Sequence, residues 1–282
     1  MLEIPESYTL AKQLNDTIQG KVIRTVKANQ SPHKFTWYAG NPDDYPKLME
    51  GKTIATTYPR AGIVEINMED ASNPSAPLVK LALSDGANIR YKTDFHNAPA
   101  KNQLYLEFED DSSLTVSVQM YGGISAFLEG TYDNEYYLGA CNKCSPLSNQ
   151  FTYEYFRSLY TDKLAKASVK AFLATEQRIP GLGNGVLQDI LYHAKMHPKK
   201  KMGTFTEDDF HMLFNQIRFV LKEMTEQGGR DTEKDLFGAP GKYQTYLSKK
   251  TYDNPCPKCG YLIHKEAYLG GTVYYCEHCQ TL

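Results

Sequence analysis

Cys256-Pro257-Lys258-Cys259 and Cys276-Glu277-His278-Cys279 close the chain, in the pattern C-x2-C-x16-C-x2-C. Each pair puts two thiolates within reach of one ion, and four thiolates complete a tetrahedral shell for one Zn2+. A shell completed by protein leaves no position for water, so this zinc is expected to be structural and not catalytic. Between the pairs, Tyr261-Leu262-Ile263-His264 and Thr272-Val273-Tyr274-Tyr275 alternate as the strands of a small hairpin would. With the shell already filled, His264 and His278 are expected at the surface.

The 282 residues that carry this module can bury a full core and are expected to hold two further domains. No apolar run is long enough to cross a membrane. The start, Met1-Leu2-Glu3-Ile4-Pro5-Glu6, has none of the basic and apolar character of a signal peptide, so a cytoplasmic location is expected. There thiols stay reduced, and CxxC pairs more often bind metal than form disulfides. The other pair, Cys141-Asn142-Lys143-Cys144, has no partner pair to complete a second metal site. It is read as having no particular role, with a redox pair or half of an intermolecular site as the alternatives.

A formal net charge of −2 argues weakly against a nucleic-acid partner, but the charge is uneven. Residues 1–150 carry 13 Lys and Arg against 18 Asp and Glu, whereas residues 151–282 carry 18 against 15. The second half includes the run Lys195-Met196-His197-Pro198-Lys199-Lys200-Lys201. A local patch is what meets phosphate, since screening limits distant charges to about 8 Å at physiological salt. A solvated loop is the plain alternative for such a run.

Working toward the N-terminus, residues 152–226 read as helices. Thr152 and Thr206 are placed to cap two of them, Ser168-Val169-Lys170 opens another, and Gly228-Gly229 stops the last. Ile179-Pro180-Gly181-Leu182-Gly183-Asn184-Gly185 interrupts the pattern before Val186–Ala194 resumes it. Residues 1–140 are mostly strands: 21–26, 62–68, 78–83, 103–108 and 113–118 alternate between Gly, Pro, Asn and Asp turns, after one helix over about Ser7 to Thr17. The expected order is an N-terminal β-sandwich over 1–134, a connector over 135–151, a helical domain over 152–250 and a zinc finger over 251–282. The fold class is thus α+β multidomain.

Taken together, these pieces resemble the formamidopyrimidine-DNA glycosylase and endonuclease VIII family of base-excision repair enzymes. The resemblance covers the whole chain: x-Glu-Ile-Pro-Glu at the start, a β-sandwich, a helix-two-turns-helix domain and a zinc hairpin ending in Cys-x-x-Cys-Gln. It implies that Lys170 and Asn184, with Gly183, hold the phosphate beside a lesion in double-stranded DNA that is damaged or abasic. Glycines let a backbone approach phosphate closely, and a helix N-terminus presents a positive dipole end. It also implies that the terminal amine attacks C1′ of an extruded nucleotide to form a Schiff base, with Glu3 moving protons and Glu6 nearby. Leu83, Gln119 and Tyr121 fall where the family fills the gap left by the flipped base, with core packing as the plain alternative for Leu83 and Tyr121. A monomer in the bacterial cytoplasm or nucleoid follows from the same resemblance.

Several positions depart from the family. Leu2 replaces the usual proline and is expected to hinder removal of Met1. A retained Met1 displaces the amine by one residue, about 3.8 Å between consecutive Cα atoms, and about 1 Å of misplacement is already costly. Gly62 stands where the formamidopyrimidine branch has a strand lysine, with Arg60 two residues away and on the same side if the strand is regular. Gly271 replaces the arginine of the hairpin tip, removing a charge-assisted phosphate contact. Three functions compete: a glycosylase with or without lyase activity, a catalytically degraded relative that binds DNA without turnover, and a zinc-ribbon RNA or ribosome partner. Retained Glu3 favours the first, whereas Leu2, Gly62 and Gly271 favour the second. The third explains the cysteines but neither Glu3 nor the segment from Lys170 to Asn184.

Overall fold

The computed structural model describes all 282 residues and divides into two compact units. The first comprises Met1–Cys141 with Glu233–Pro240, the second Asn142–Thr232 with Gly241–Leu282.

The first unit opens with helix α1, Ile4–Ile18, which starts three residues before the sequence expectation. Pro5 occupies the first turn, where a missing N–H costs nothing, and Glu3 takes an extended conformation before it. Ile4, Leu10, Ala11, Leu14 and Ile18 form its buried stripe. The strands join in one continuous seven-stranded sheet in the order β1 (Ile23–Ala28), β6 (Leu104–Phe108), β7 (Ser113–Leu128), β5 (Val79–Lys92), β4 (Ile63–Glu69), β3 (Thr53–Arg60). Short β2 (Thr36–Tyr38) runs parallel to β7, with Trp37 opposite Gly123. The 14 residues of β5 and 16 of β7 exceed the predicted segments because each continues past a bulge at Asp85–Ala87. A bulge bends a strand and increases its twist, so one ribbon can wrap a core. Val79, Leu81 and Leu83 point into that core with Val64, Ile66 and Met68. Ala82 and Ile63 face the other way, under Tyr137 and Ala140 of α3 (Glu135–Asn142). Residues 135–142, expected as irregular connector, are therefore helical, because these side chains cover that second face.

The predicted strand at Gly62 is corrected. Arg60 pairs with Ile63, and Ala61-Gly62 form the two-residue turn of a hairpin, Ala61 with φ +53°. Gly62 thus shares no strand face with Arg60. The returning segment Glu233–Pro240 is held by Leu236, fully buried in the core. The Tyr91 N–H donates to the Leu236 carbonyl at 3.1 Å and Gln13 donates to Asp235 at 3.0 Å.

In the second unit the expected caps are present. Thr152 and Ser168 accept from Tyr155 and Ala171 N–H at the starts of α4 (Tyr153–Ser158) and α5 (Val169–Ala174). Thr206 and Asp209 form a reciprocal capping box before α7 (Glu207–Glu226). Such a cap contributes about 1 kcal/mol. Helix α6 (Asn184–His193) lies beside α7 and carries the cysteine-bearing hairpin, β8 (His264–Tyr268) and β9 (Gly271–Tyr275). The first hairpin strand begins later than predicted. Residues 256–261 form a tight knuckle, in which Gly260 donates to the Cys256 carbonyl and Cys256 to that of Tyr261. Tyr261 and Leu262 are consequently left exposed.

Candidate catalytic terminus, clamp and metal centre

The chain start is not a loose end. The Met1 ammonium lies 2.5 Å from a Glu233 carboxylate oxygen, and the Leu2 N–H donates to the Asp85 carbonyl at 2.5 Å. The Leu2 side chain is buried in the sheet core, and Glu3 and Glu6 are buried as well. Asp85 sits at the bulge with φ +56°, next to Gly86, where a Cβ would lie 2.4 Å from the Tyr121 carbonyl oxygen. Burial pushes the Asp85 carboxyl up, against the Ser84 hydrogen bond and the terminal charge, which lower it. Tyr121 and Tyr136 are both pushed up, first by burial and then by the negative charges of Asp85 and Glu3. The Tyr121 hydroxyl reaches the Met1 sulfur at 3.8 Å. One ammonium, three carboxyl groups and two phenols therefore meet around the terminus.

Sequence reading found Met1, Leu2, Glu3 and Tyr121 of this group but missed Asp85, Tyr136 and Glu233. The Asp85-Gly86 dipeptide inside an apolar strand was a readable sign of a bulge. Glu233 gave no sign, since only the return of a segment more than 200 residues distant brings it here. The remaining residues expected at the DNA surface scatter. Arg60 pairs with buried Glu65 at 3.2 Å and lies over the Tyr58 ring. Gln119 is exposed. Leu83 has 0% exposure, so it offers no surface for a wedge between bases; the strand alternation that makes it apolar also turns it inward.

In the second unit Lys170, Gly183, Asn184 and Gly271 come together. Lys170 is only 2% exposed and its Nζ donates to the Tyr268 carbonyl. Burial pulls the Lys170 ammonium below its usual range. Gly183 is the N-cap of α6, and Asn184 Nδ2 donates to the Thr272 carbonyl at 2.7 Å. The Asn184 Oδ1 is buried without a hydrogen-bond partner. A Cβ on Gly271 would stand 3.1 Å from the Asn184 side chain, so the glycine leaves room for the amide. Gln188 completes the junction, donating to the Thr272 carbonyl at 3.0 Å and accepting from Tyr274 N–H at 3.1 Å. Two lysines of the run are paired with acids, Lys199 with Glu266 at 2.6 Å and Lys200 with Asp209 at 2.9 Å, whereas Lys195 and Lys201 are exposed.

The four cysteine sulfurs lie within 4.8 Å of one another. Cys256 to Cys279 is 3.8 Å and Cys259 to Cys276 is 3.4 Å. Tetrahedral Zn–S bonds of about 2.3 Å place sulfurs about 3.8 Å apart, so the residues fit a metal ion. Gln280 anchors the cluster, accepting from Cys276 N–H at 2.9 Å and donating to the Met196 carbonyl at 3.0 Å. His264 and His278 are exposed, as expected.

Residues 144–235 match the family model described as "Formamidopyrimidine-DNA glycosylase H2TH domain". The chain is 26% identical over 287 residues to the formamidopyrimidine-DNA glycosylase of Bacillus licheniformis, covering 99% of both chains. It is 27% identical to that of Lactococcus lactis, again over 99% of each. Among solved structures it resembles the MutM (Fpg) protein of Thermus thermophilus, with TM-score 0.80, 23% identity and coverage of 99% and 98%. A Lactococcus lactis Fpg complex with DNA containing N7-benzyl-Fapy-dG gives TM-score 0.81 at 24% identity, over 99% of this chain and 100% of that one. Both structures share its fold. The helical segment thus carries a formamidopyrimidine-DNA glycosylase H2TH domain, and the chain resembles formamidopyrimidine-DNA glycosylases along its whole length.

Proposed function

We propose that this protein binds damaged or abasic double-stranded DNA and acts as a DNA glycosylase with AP-lyase chemistry through its terminal amine. The observation that carries the reading is the terminal nitrogen held by Glu233, close enough to Asp85 for its charge to act on that carboxyl, with Glu3 buried two residues along the chain. The names of the relatives support it, since formamidopyrimidine-DNA glycosylases match along the whole chain. In the step envisaged, the neutral amine attacks C1′. The C1′–base bond breaks, and its electron pair leaves with the base, which takes up a proton. The nitrogen then loses a proton, O4′ gains one, the sugar opens, and a C=N+ bond remains. Glu3 is assigned the proton transfers, because a buried carboxylate two residues from the terminus is suited to accept from one atom and deliver to the other. Lys170 and Asn184 are assigned the phosphate, and reaching it requires each to exchange its present carbonyl partner. One zinc ion on the four thiolates would order the hairpin and take no part in bond making.

A second reading is favoured by two observations. The Met1 ammonium is ion-paired, and Leu2 is buried in the core. A nitrogen that keeps its proton has no lone pair to attack with, which suits a DNA-binding relative without turnover. Borohydride trapping on abasic duplex DNA separates the two. A covalent adduct that Glu3→Gln diminishes and N-terminal acetylation abolishes supports the enzyme. Duplex binding without any adduct leaves the binding protein.

A further inference from the structure

Beside the terminus, the sheet exposes large apolar side chains that nothing in the chain covers. Trp37 is 54% exposed, Phe35 49% and Met120 67%. They are continuous with the terminus: the Trp37 ring lies 5.8 Å from that of Tyr121, whose hydroxyl touches Met1. The backbone holds this arrangement open. Trp37 pairs with Gly123 and Thr36 with Gly122, so the β7 residues directly opposite have no side chain to cover the indole, and Tyr121 meets it only at 5.8 Å. A side chain at Gly122 would crowd backbone, with a Cβ 3.1 Å from Ala87 N, and one at Gly123 would require the Ser84 hydroxyl to move. Lys34 places its ammonium 5.3 Å from the Phe35 ring centre.

Exposed aromatic faces bordered by a cation suit one occupant, a nucleobase whose phosphate meets the cation. A protein partner would need a broad apolar patch closed by a polar rim, whereas this is a narrow row beside a charged terminus. We propose that Trp37 is a base-stacking residue: a base of the bound DNA lies on its indole, next to the nucleotide presented to the terminal amine. This rests on the DNA-binding reading above and adds a contact that the phosphate clamp does not supply.

Trp37 is the one tryptophan in the chain, so its fluorescence reports on this surface alone. The full-length protein is titrated with an abasic duplex, reading indole emission and the anisotropy of a dye on the DNA together. Stacking is expected to quench Trp37 by half or more, in parallel with the anisotropy rise. Trp37→Ala is expected to weaken binding about tenfold, the usual loss for one base–aromatic stack, with Trp37→Phe losing much less. An anisotropy rise with unchanged emission overturns the stacking role and leaves the DNA reading standing. Failure of the unaltered protein to bind duplex overturns both. A change in emission with protein concentration alone, accompanied by a doubling of mass in light scattering, assigns the surface to a second copy and also overturns the proposal.

Discussion

At the scale of single residues, Leu2 fixes the backbone that carries the terminal nitrogen. Its side chain is buried and its N–H is bonded to the Asp85 carbonyl, so the backbone at position 2 is fixed by packing as well as by hydrogen bonding. Met1 then extends one residue further and meets Glu233. Loss of Met1 would move the terminal nitrogen from Glu233 to the Asp85 carbonyl, beside the bulge. Leu2→Pro is expected to allow Met1 removal, visible as a mass loss in intact mass spectrometry. It is then expected to increase borohydride-trapped adduct on abasic DNA several-fold. The smaller ring fills less of the core, so thermal unfolding should show a loss of about 1–2 kcal/mol. Glu3→Gln in the same background should cancel the gain while leaving DNA affinity in place. A processed Leu2→Pro protein with no more adduct than the parent would exclude amine placement as the limiting feature.

At the scale of elements, helix α6 is the junction of the second unit, and each of its contacts makes a separate expectation. Asp189 is buried on α6 and accepts the N–H groups of Tyr246 and Leu247 at 3.0 and 2.8 Å, pinning the segment before the metal knuckle. Burial raises its carboxyl from 3.8 to about 6, overriding the hydrogen bonds that favour the charge. Because the folded value lies above the unfolded one, the contribution is fully present below about pH 4 and is lost as pH rises through about 6. At 1.36 kcal/mol per unit, urea unfolding should show this group's share of stability falling by about 3 kcal/mol between pH 4 and 7. Asp189→Asn should flatten that window; an unchanged pH profile would mean that the carboxyl titrates normally. The other face of α6 meets the hairpin. Because Gly271 stands where the family carries an arginine, Gly271→Arg would add back a cation for phosphate, yet a Cβ there stands 3.1 Å from Asn184. The substitution should therefore first displace the Asn184 amide from the Thr272 carbonyl, costing about 1 kcal/mol of stability. Affinity for duplex should rise only if the guanidinium offsets that loss; greater stability together with tighter binding would contradict the crowding. Cys259→Ser should abolish bound zinc in elemental analysis and unfold the hairpin, because so small a module has little core of its own.

At the scale of the whole molecule, what could be read in the sequence was what local chemistry writes. The cysteine spacing gave the cysteine cluster, Thr152, Ser168 and Thr206 gave three helix starts, and alternation placed the starts of β1, β4, β5, β6 and β7 to within two residues but missed β2, β3 and the far halves of β5 and β7. Leu83 was placed among the gap-filling residues by the resemblance, with core packing as the alternative, and the structure puts it in the core because alternation tells buried from exposed only once the core face is known. Asp85, Tyr136 and Glu233 were missed because long-range topology, not local pattern, brings them to Met1. The strap Glu233–Pro240 makes that point testable. Leu236 fills the sheet core while Glu233 holds the first residue of the chain, so anchoring and ion pairing are separate jobs of one segment. Leu236→Ala should cost about 2–5 kcal/mol in denaturant unfolding. It should also raise the rate at which an amine-directed reagent labels the N-terminus, because a loosened strap withdraws Glu233. Glu233→Gln should raise the labelling rate to a similar degree with less than about 1 kcal/mol lost, as a half-exposed ion pair contributes little to stability. If Glu233→Gln labels no faster than the parent, the ion pair does not control the amine, and whatever restrains its chemistry lies in Leu2 and the bulge at Asp85.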